Sequence, residues 1–361
     1  MNVRSDYASL TVYQKDPLNA GTPLDRLRRT FLTPTDQFFI RTHGTLPTVD
    51  REAYRLVIHG MVQHPLELSL TDVLTRFAQH TLTATLVCAG SRRNELAAVH
   101  PLPGEVLWKA DSISTARWRG VRLSDVLHEA GIGPEAQYVA FRGLDEAREE
   151  GERVSFGSSI RLEKAVSPEV LLVFEMNDAP LTPEHGFPLR VLIPGYVGAR
   201  SVKWVQEITL QSQPSTNYFQ DRDYKLFPPE VTAETVDWTQ GKPLEAIALN
   251  SVICRPQAGE ICSAGSHLVQ GYAISGEAPI ERIELSLDQG ITWLPATLGE
   301  TRDRWAWCFW EATLDLPPGA CEMIVRAWDA AGKTQPEHVQ PLWNFKGYAN
   351  NAWHRVHLHL A

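Results

Sequence analysis

The sequence predicts an α+β chain: a mixed α+β domain over 36–235, preceded by an arm over 1–35 and followed by a β-sandwich over 240–361. Three observations carry that reading. The 361 residues are 43% hydrophobic, enough for two domains with full cores and no disulfides. Up to about residue 235, short strand and helix patterns mix without regular βαβ alternation. After Pro228-Pro229, and from about 243 onward, strand patterns follow one another between turn signals.

Taken in order, residues 1–35 are polar and irregular and read as an arm lying over the body. Residues 54–60 and 66–68 read as short strands, with Ser69 and Thr71 as candidate N-caps of a helix running to Phe77. Thr81, Thr83 and Thr85 alternate with Leu82, Ala84 and Leu86, the period of a half-buried strand, which runs into the small-residue turn Ala89-Gly90-Ser91. Ser124 is a candidate cap for a helix ending before Gly131. The continuous apolar runs 170–174 and 189–193 read as buried strands. Further on, Ile283, Leu285 and Leu287 alternate before the hairpin signal Asp288-Gln289-Gly290, and Trp305, Trp307 and Phe309 alternate in another strand. Seven of the eleven tryptophans lie between 293 and 353, which predicts a large aromatic core for the sandwich.

The net charge of -9 argues against a nucleic-acid partner, because phosphate binding needs a basic face. Cysteines 88, 254, 262, 308 and 321 form no CxxC pair and no zinc spacing, so they read as free thiols in a reducing compartment. A Cys254–Cys262 bridge stays open for an oxidising one. No apolar run approaches the roughly 18 residues of a membrane span, and no secretory apolar segment opens the chain. Arg28-Arg29 superficially resembles an export signal, but the polar stretch 33–37 follows where an apolar segment belongs, so the pair reads as a solvated basic turn. As written the chain reads as cytoplasmic, or periplasmic if a leader was removed. His354, His357 and His359 look like a metal cluster but lack a carboxylate or cysteine at ligand spacing. Glu149 and Glu150 read as a solvated loop.

Cys88 closes the strand and is followed by Arg92 and Arg93. A thiolate is the metal-binding form of cysteine, and adjacent cations favour it. The same two cations suit an oxyanion. A lone cysteine at a strand end is also a common small buried hydrophobe. The segments around it weigh against that bland reading. Cys88-Ala-Gly-Ser-Arg-Arg93 resembles the molybdenum-ligand motif of the sulfite oxidase family, Cys-Ala-Gly-Asn-Arg-Arg. Residues 38–43 (FFIRTH), 112–118 (SISTARW), 185–190 (HGFPLR), 195–204 (GYVGARSVKW), 223–225 (DYK) and 350–356 (NNAWHRV) resemble further family segments. They keep one order and cover roughly 30–361.

The resemblance implies a molybdopterin-binding domain of the sulfite oxidase fold followed by an immunoglobulin-like dimerisation domain, hence a homodimer. It implies that Cys88 gives the molybdenum its one protein thiolate, the other sulfurs coming from the pterin dithiolene. His185, Arg190 and Lys203 match the pterin and phosphate contacts, and Arg41, His43, Ser91, Gly198, Arg200 and Ser201 complete the implied cofactor set. Gly186 and Gly195 are read, with Gly198, as letting the backbone approach the cofactor. Arg41, Arg93, Trp108, Tyr224 and Lys346 match the oxyanion pocket. The implied activity is oxidation of sulfite to sulfate by oxygen-atom transfer, with Tyr224 orienting the anion. The electrons pass to a separate acceptor such as a cytochrome, since no haem motif lies in the chain. A nitrate or sulfoxide reductase on the same cofactor is the alternative, and a weakly active binding or scaffold protein the third reading.

Three departures from the family pattern stand out. Lys346 replaces an arginine, keeping the charge but losing the planar two-point grip. Related nitrate reductases carry an uncharged residue there, so a lysine leans toward sulfite. Ser91 replaces an asparagine. Asp111 replaces a glycine, where it either weakens the pocket's pull on anions or points to solvent.

Overall fold

The computed structural model describes residues 7–300 and 303–360. The strand expected over 81–86 spans Gln79–Val87 and pairs antiparallel with Ile113–Arg122. Leu171–Met176 continues this sheet beside Ile113–Arg122 and also pairs with Arg190–Leu192. A second sheet orders Leu66–Ser69, Arg55–Gly60, Val205–Gln211, Tyr138–Glu149 and Glu152–Arg161. Ser69 does cap Leu70–Arg76: its side chain accepts from the Asp72 N–H while Asp72 reaches back to the Ser69 N–H, a capping box.

Two local expectations change. The helix Leu123–Ala130 begins after Arg122, and Ser124 lies inside its first turn. The Leu123 N–H donates to the Val170 carbonyl, so a neighbouring strand does what a capping side chain would. The N-terminal arm is not irregular: Thr11–Lys15 pairs with Leu18–Gly21, which pairs with Ile40–Arg41. A short hairpin around Asp16-Pro17 reads as loop in sequence because Pro and Asp dominate it. Arg28 is not a solvated turn either. Its guanidinium lies 4.1 Å from the centroid of the Phe309 ring and 3.5 Å from Glu311, bridging to the C-terminal half.

The C-terminal half packs two sheets face to face. One contains Asn250–Arg255, Gly265–Ile274 and Cys308–Leu316; the other contains Ile280–Ser286, Gly319–Asp329 and His354–Leu360. Their shared core is aliphatic apart from Trp310: Ile253, Val269, Ile283, Leu285, Met323, Val325 and Leu358 fill it. The predicted aromatic core is therefore wrong. Trp293 and Trp353 instead pack edge to face at 4.9 Å beside Arg326, where the charged guanidinium needs partial solvent contact. Trp305 and Trp307 precede the strand expected to hold them. Their backbones bond Thr85, with Thr85 N–H to the Trp305 carbonyl at 2.9 Å and Trp307 N–H to Thr85 Oγ1 at 2.8 Å. Thr85 is thereby fully buried, so the half-buried strand is covered on both faces at its site end.

The two halves share one core. Val252, Cys254, Tyr272, Ile274 and Trp307 join the main cluster of the first half, and Tyr272 Oη donates to the Ala110 carbonyl at 2.8 Å. Cys254 and Cys262 are free thiols and do not bridge. His354 is buried and accepts from the Ile253 N–H, whereas His357 and His359 stand exposed on the same strand. Among the described residues no histidine, cysteine or carboxylate group gathers as a metal site. No described helix is long and apolar enough to cross a membrane.

Candidate cofactor and oxyanion site

Cys88 directly follows the strand Gln79–Val87. Its N–H donates to the Ser112 carbonyl at 2.9 Å, and the Ser91 N–H returns to the Cys88 carbonyl at 3.0 Å, closing a tight turn. Arg92 sits in the left-handed region at φ 62°, a strained position for a residue with a Cβ. Glu95 three residues on, and from far along the chain the Asn250 side chain at 2.8 Å and the Ala352 carbonyl at 2.7 Å, hold it there. Arg92 is fully buried in the junction between the halves, so it does not share an oxyanion with Arg93. The segment 350–356 serves this clamp, through the Asn350 amide to the Arg92 carbonyl at 3.0 Å.

Cys88 lines a cavity whose empty space, including the part open to solvent, is about 670 Å³. Arg41, His43, His185, Arg190, Gly198, Ser201, Lys203 and Tyr224 line the same cavity, joined by Phe38, Phe156 and Asp145. Of the residues singled out from sequence, Ser91, Arg93, Trp108, Arg200 and Lys346 do not line it.

At one end, the basic groups have only uncharged hydrogen-bond partners. Arg190 donates to the carbonyls of His185 at 3.0 Å and Ser201 at 3.1 Å, while its buried Nε has no partner. Burial lowers its pKa to about 9. Lys203 donates to the carbonyls of Arg41 at 3.0 Å and Glu184 at 2.8 Å. Burial, with Arg190 beside it, pulls the ammonium well down, against an opposing pull from Asp145. Asp145, itself buried and pushed up by burial, leaves Oδ1 without a partner. His185 donates from Nε2 to the Thr35 carbonyl at 3.3 Å, and burial together with Lys203 and Arg190 lowers it to about 3, so it is neutral. Neither cation has a direct carboxylate contact, and Asp145 offsets only part of the desolvation of Lys203, so an arriving anion would offset more. This end therefore fits a phosphate, and the Asp145 oxygen beside it fits an N–H donor. The chain's close approach here needs Gly186: at φ 105° it passes between Arg190 and Lys203, whose Cβ atoms would each lie 3.1 Å from an added Cβ. Gly195, by contrast, is required by Trp305, 2.6 Å from an added Cβ, and not by a ligand.

Next to Cys88, Arg41 is placed by the N-terminal hairpin. Asn19 Oδ1 accepts from Arg41 Nη1 at 3.2 Å and from the Thr42 N–H at 3.0 Å. Burial opposes the Arg41 charge, but the summed field of Tyr224, Cys88 and Asp223 outweighs it and raises its pKa. Tyr224 follows a π-helical turn, Phe219–Asp223, and its Oη lies 2.8 Å from His43 Nε2. Burial keeps this phenol protonated, and burial with the nearby cations Arg41 and Lys203 keeps His43 neutral. Arg200 supports the tyrosine from behind, donating to the carbonyls of Tyr224 at 3.4 Å and Leu244 at 2.7 Å and to Ser158 and Gln220.

The remaining oxyanion candidates form a separate group that does not line this cavity. Arg93 donates to Glu105 at 3.0 Å and to the Gly347 carbonyl at 3.2 Å, and its guanidinium lies 5.0 Å from the centroid of the Tyr348 ring. Lys346 is held by Glu105 and Asp223, both at 2.7 Å. Burial works against the ammonium, but Asp223 and Glu105 push it up to about 12. Tyr348 stacks on Tyr224 at 5.3 Å. Trp108 is buried against Tyr13, ring centroids 4.9 Å apart. Asp111 does not point to solvent: it is 3% exposed and accepts from Tyr13 Oη, 2.8 and 2.9 Å from its two oxygens. Glu105, Asp145, Asn19 and Tyr348 were not foreseen from sequence.

Residues 43–219 match the family described as an oxidoreductase molybdopterin binding domain, and residues 242–361 match the Mo-co oxidoreductase dimerisation domain. Fold and site thus define a molybdopterin-type oxidoreductase. The chain is 37% identical to a sulfite oxidase of Arabidopsis thaliana, across 98% of this chain and 95% of that one. It is 40% identical to the mitochondrial sulfite oxidase of Homo sapiens over 98% of its own length, but spans only 66% of that relative. The sulfane dehydrogenase SoxCD of Paracoccus pantotrophus superimposes with a TM-score of 0.82 at 26% identity, covering 96% of this chain and 85% of that one. The chain belongs to the sulfite oxidase family.

Proposed function

We propose that this chain holds a molybdenum cofactor in the Cys88 cavity and oxidises sulfite to sulfate, passing electrons to a separate acceptor. The observation that carries this is one cavity with a cysteine on its wall, buried cations without a direct carboxylate contact at one end, and a neutral phenol with an arginine beside the cysteine. Cys88 would be the protein's ligand to the metal, and Arg190, Lys203, His185 and Asp145 would hold the pterin and its phosphate. When bound, the group supplies a two-electron centre able to transfer an oxygen atom.

The protein's own part is electrostatic. Arg41, which has no carboxylate partner among the described residues, attracts and orients the small anion. Tyr224 stays a phenol and donates a hydrogen bond to an anion oxygen. His43 fixes the Tyr224 oxygen and adds no charge. The packed wall of Phe38, Phe39 and Phe156 keeps bulk water away and strengthens each of these contacts.

A reductase acting on nitrate is the second reading. Lys346, whose charge leaned toward sulfite, is already neutralised by Glu105 and Asp223. Assays of the molybdenum-loaded protein separate the two. Sulfite with ferricyanide should turn over briskly, and nitrate with a reduced dye should not. The reverse pattern would overturn the sulfite assignment.

The same proposal divides the chain at 235–240 and takes the two packed sheets as an immunoglobulin-like dimerisation domain, with an acceptor such as a cytochrome as the external partner of a haem-free chain. The family matches, ending at 219 and resuming at 242, support that division.

A further inference from the structure

Glu105 sits between two of the three cations expected to receive the oxyanion. One carboxylate oxygen lies 3.0 Å from Arg93 Nη1, and the other lies 2.7 Å from Lys346 Nζ. An oxyanion spanning Arg93 and Lys346 would make the same two contacts. The carboxylate side chain is 17% exposed and the Arg93 side chain 3%, so the bridge is shielded from water on most sides. Arg93 packs on the turn after Cys88: a Cβ on Gly90 would fall 2.6 Å from its Cζ. Glu105 therefore stands one guanidinium away from the cysteine turn. The loop that carries it also holds Trp108, and the Val106 carbonyl accepts from the same Arg93 nitrogen at 3.1 Å.

We infer that Glu105 is a specificity-determining residue, a built-in carboxylate that occupies the anion contacts of Arg93 and Lys346 and that an oxyanion must displace. The inference rests on the oxyanion-site reading above and names what sets that site's affinity. A site with Arg93 and Lys346 free would grip any small anion. With Glu105 in place, an anion recruits these cations only by outcompeting a charge already bonded to both. The device discriminates against weakly held anions and limits retention of the product.

The test is sulfate binding, measured by titration calorimetry on the molybdenum-loaded protein at fixed ionic strength. It compares wild type with Glu105→Gln and Glu105→Asp. A hydrogen bond to a charged group is worth enough to predict about tenfold tighter sulfate binding for Glu105→Gln. Glu105→Asp, which keeps the charge, should stay within about threefold of wild type. Equal or weaker binding by Glu105→Gln, or no sulfate binding by any of the three proteins, would overturn the inference. Should Glu105→Gln fail to fold, the wild-type protein crystallised with sulfate still decides. A sulfate oxygen on Arg93 with the Glu105 carboxylate moved off it supports displacement; sulfate beside Cys88 with both Glu105 contacts intact refutes it. Binding needs no turnover, so a protein that fails to oxidise sulfite sinks the sulfite assignment without touching this result.

Discussion

The phosphate-fitting end of the cavity and the group around Glu105 use the same residue types in opposite ways. In the cavity, Arg190 and Lys203 bond backbone carbonyls and leave Arg190 Nε idle. Around Glu105, Arg93 is bonded to that carboxylate and Lys346 to both Glu105 and Asp223. A buried cation bonded only to neutral groups is held ready for an anion that stays. A cation bonded to a carboxylate is available only to an anion that can compete, which suits a ligand that must leave.

That contrast can be broken most forcefully at the phosphate-fitting end. Arg190→Met should leave the purified protein with under about a tenth of wild-type molybdenum, because a buried phosphate would lose its charge-assisted bonds. Lys346→Met should leave metal content unchanged, and equal losses by elemental analysis would erase the distinction. Next in size is Tyr224→Phe. Removing this neutral donor should cut kcat roughly a hundredfold with molybdenum content intact. A drop of less than about threefold would take Tyr224 out of the chemistry. Lys346→Arg should change kcat/KM by no more than about threefold, since Glu105 and Asp223 already hold that position and an anion gains it only by displacing Glu105. A tenfold gain would show that the position meets the anion without that displacement.

The smallest effect concerns Asp111, whose pKa burial raises to about 6. A carboxyl raised on folding contributes stability below its unfolded value of 3.8, and that contribution is lost as pH rises through about 6. Asp111→Asn should therefore gain on wild type by about 2 °C in Tm between pH 5 and pH 8. A Tm difference that does not vary with pH would mean Asp111 is ionised throughout that range.

Much of the site was legible because its parts sit in short segments with fixed order. Cys88, Arg41, His43, His185, Arg190, Lys203 and Tyr224 each lie at or next to a strand end or turn, and the fold brings them to one cavity. The partners of these residues were not legible. Glu105, Asp145 and Asn19 act through contacts across long stretches of chain, and no local pattern marks a carboxylate that will meet two cations. Residue type also misled where two surfaces compete for it. The C-terminal tryptophans suggested a sandwich core, yet Trp307 packs with the first half and Trp293 packs around Arg326. Arg200 looked like a cofactor contact beside Ser201, but it faces the Tyr224 carbonyl. The arm at 11–21 hid a hairpin whose Asn19 orients Arg41, because strands this short carry little periodicity.

The account turns on Cys88 as the protein's ligand to the metal. X-ray absorption at the molybdenum edge, on wild type and Cys88→Ser, tests it most directly. The account predicts one fewer sulfur neighbour in the variant, with the pterin retained and sulfite turnover abolished. An unchanged sulfur count with turnover intact would contradict it.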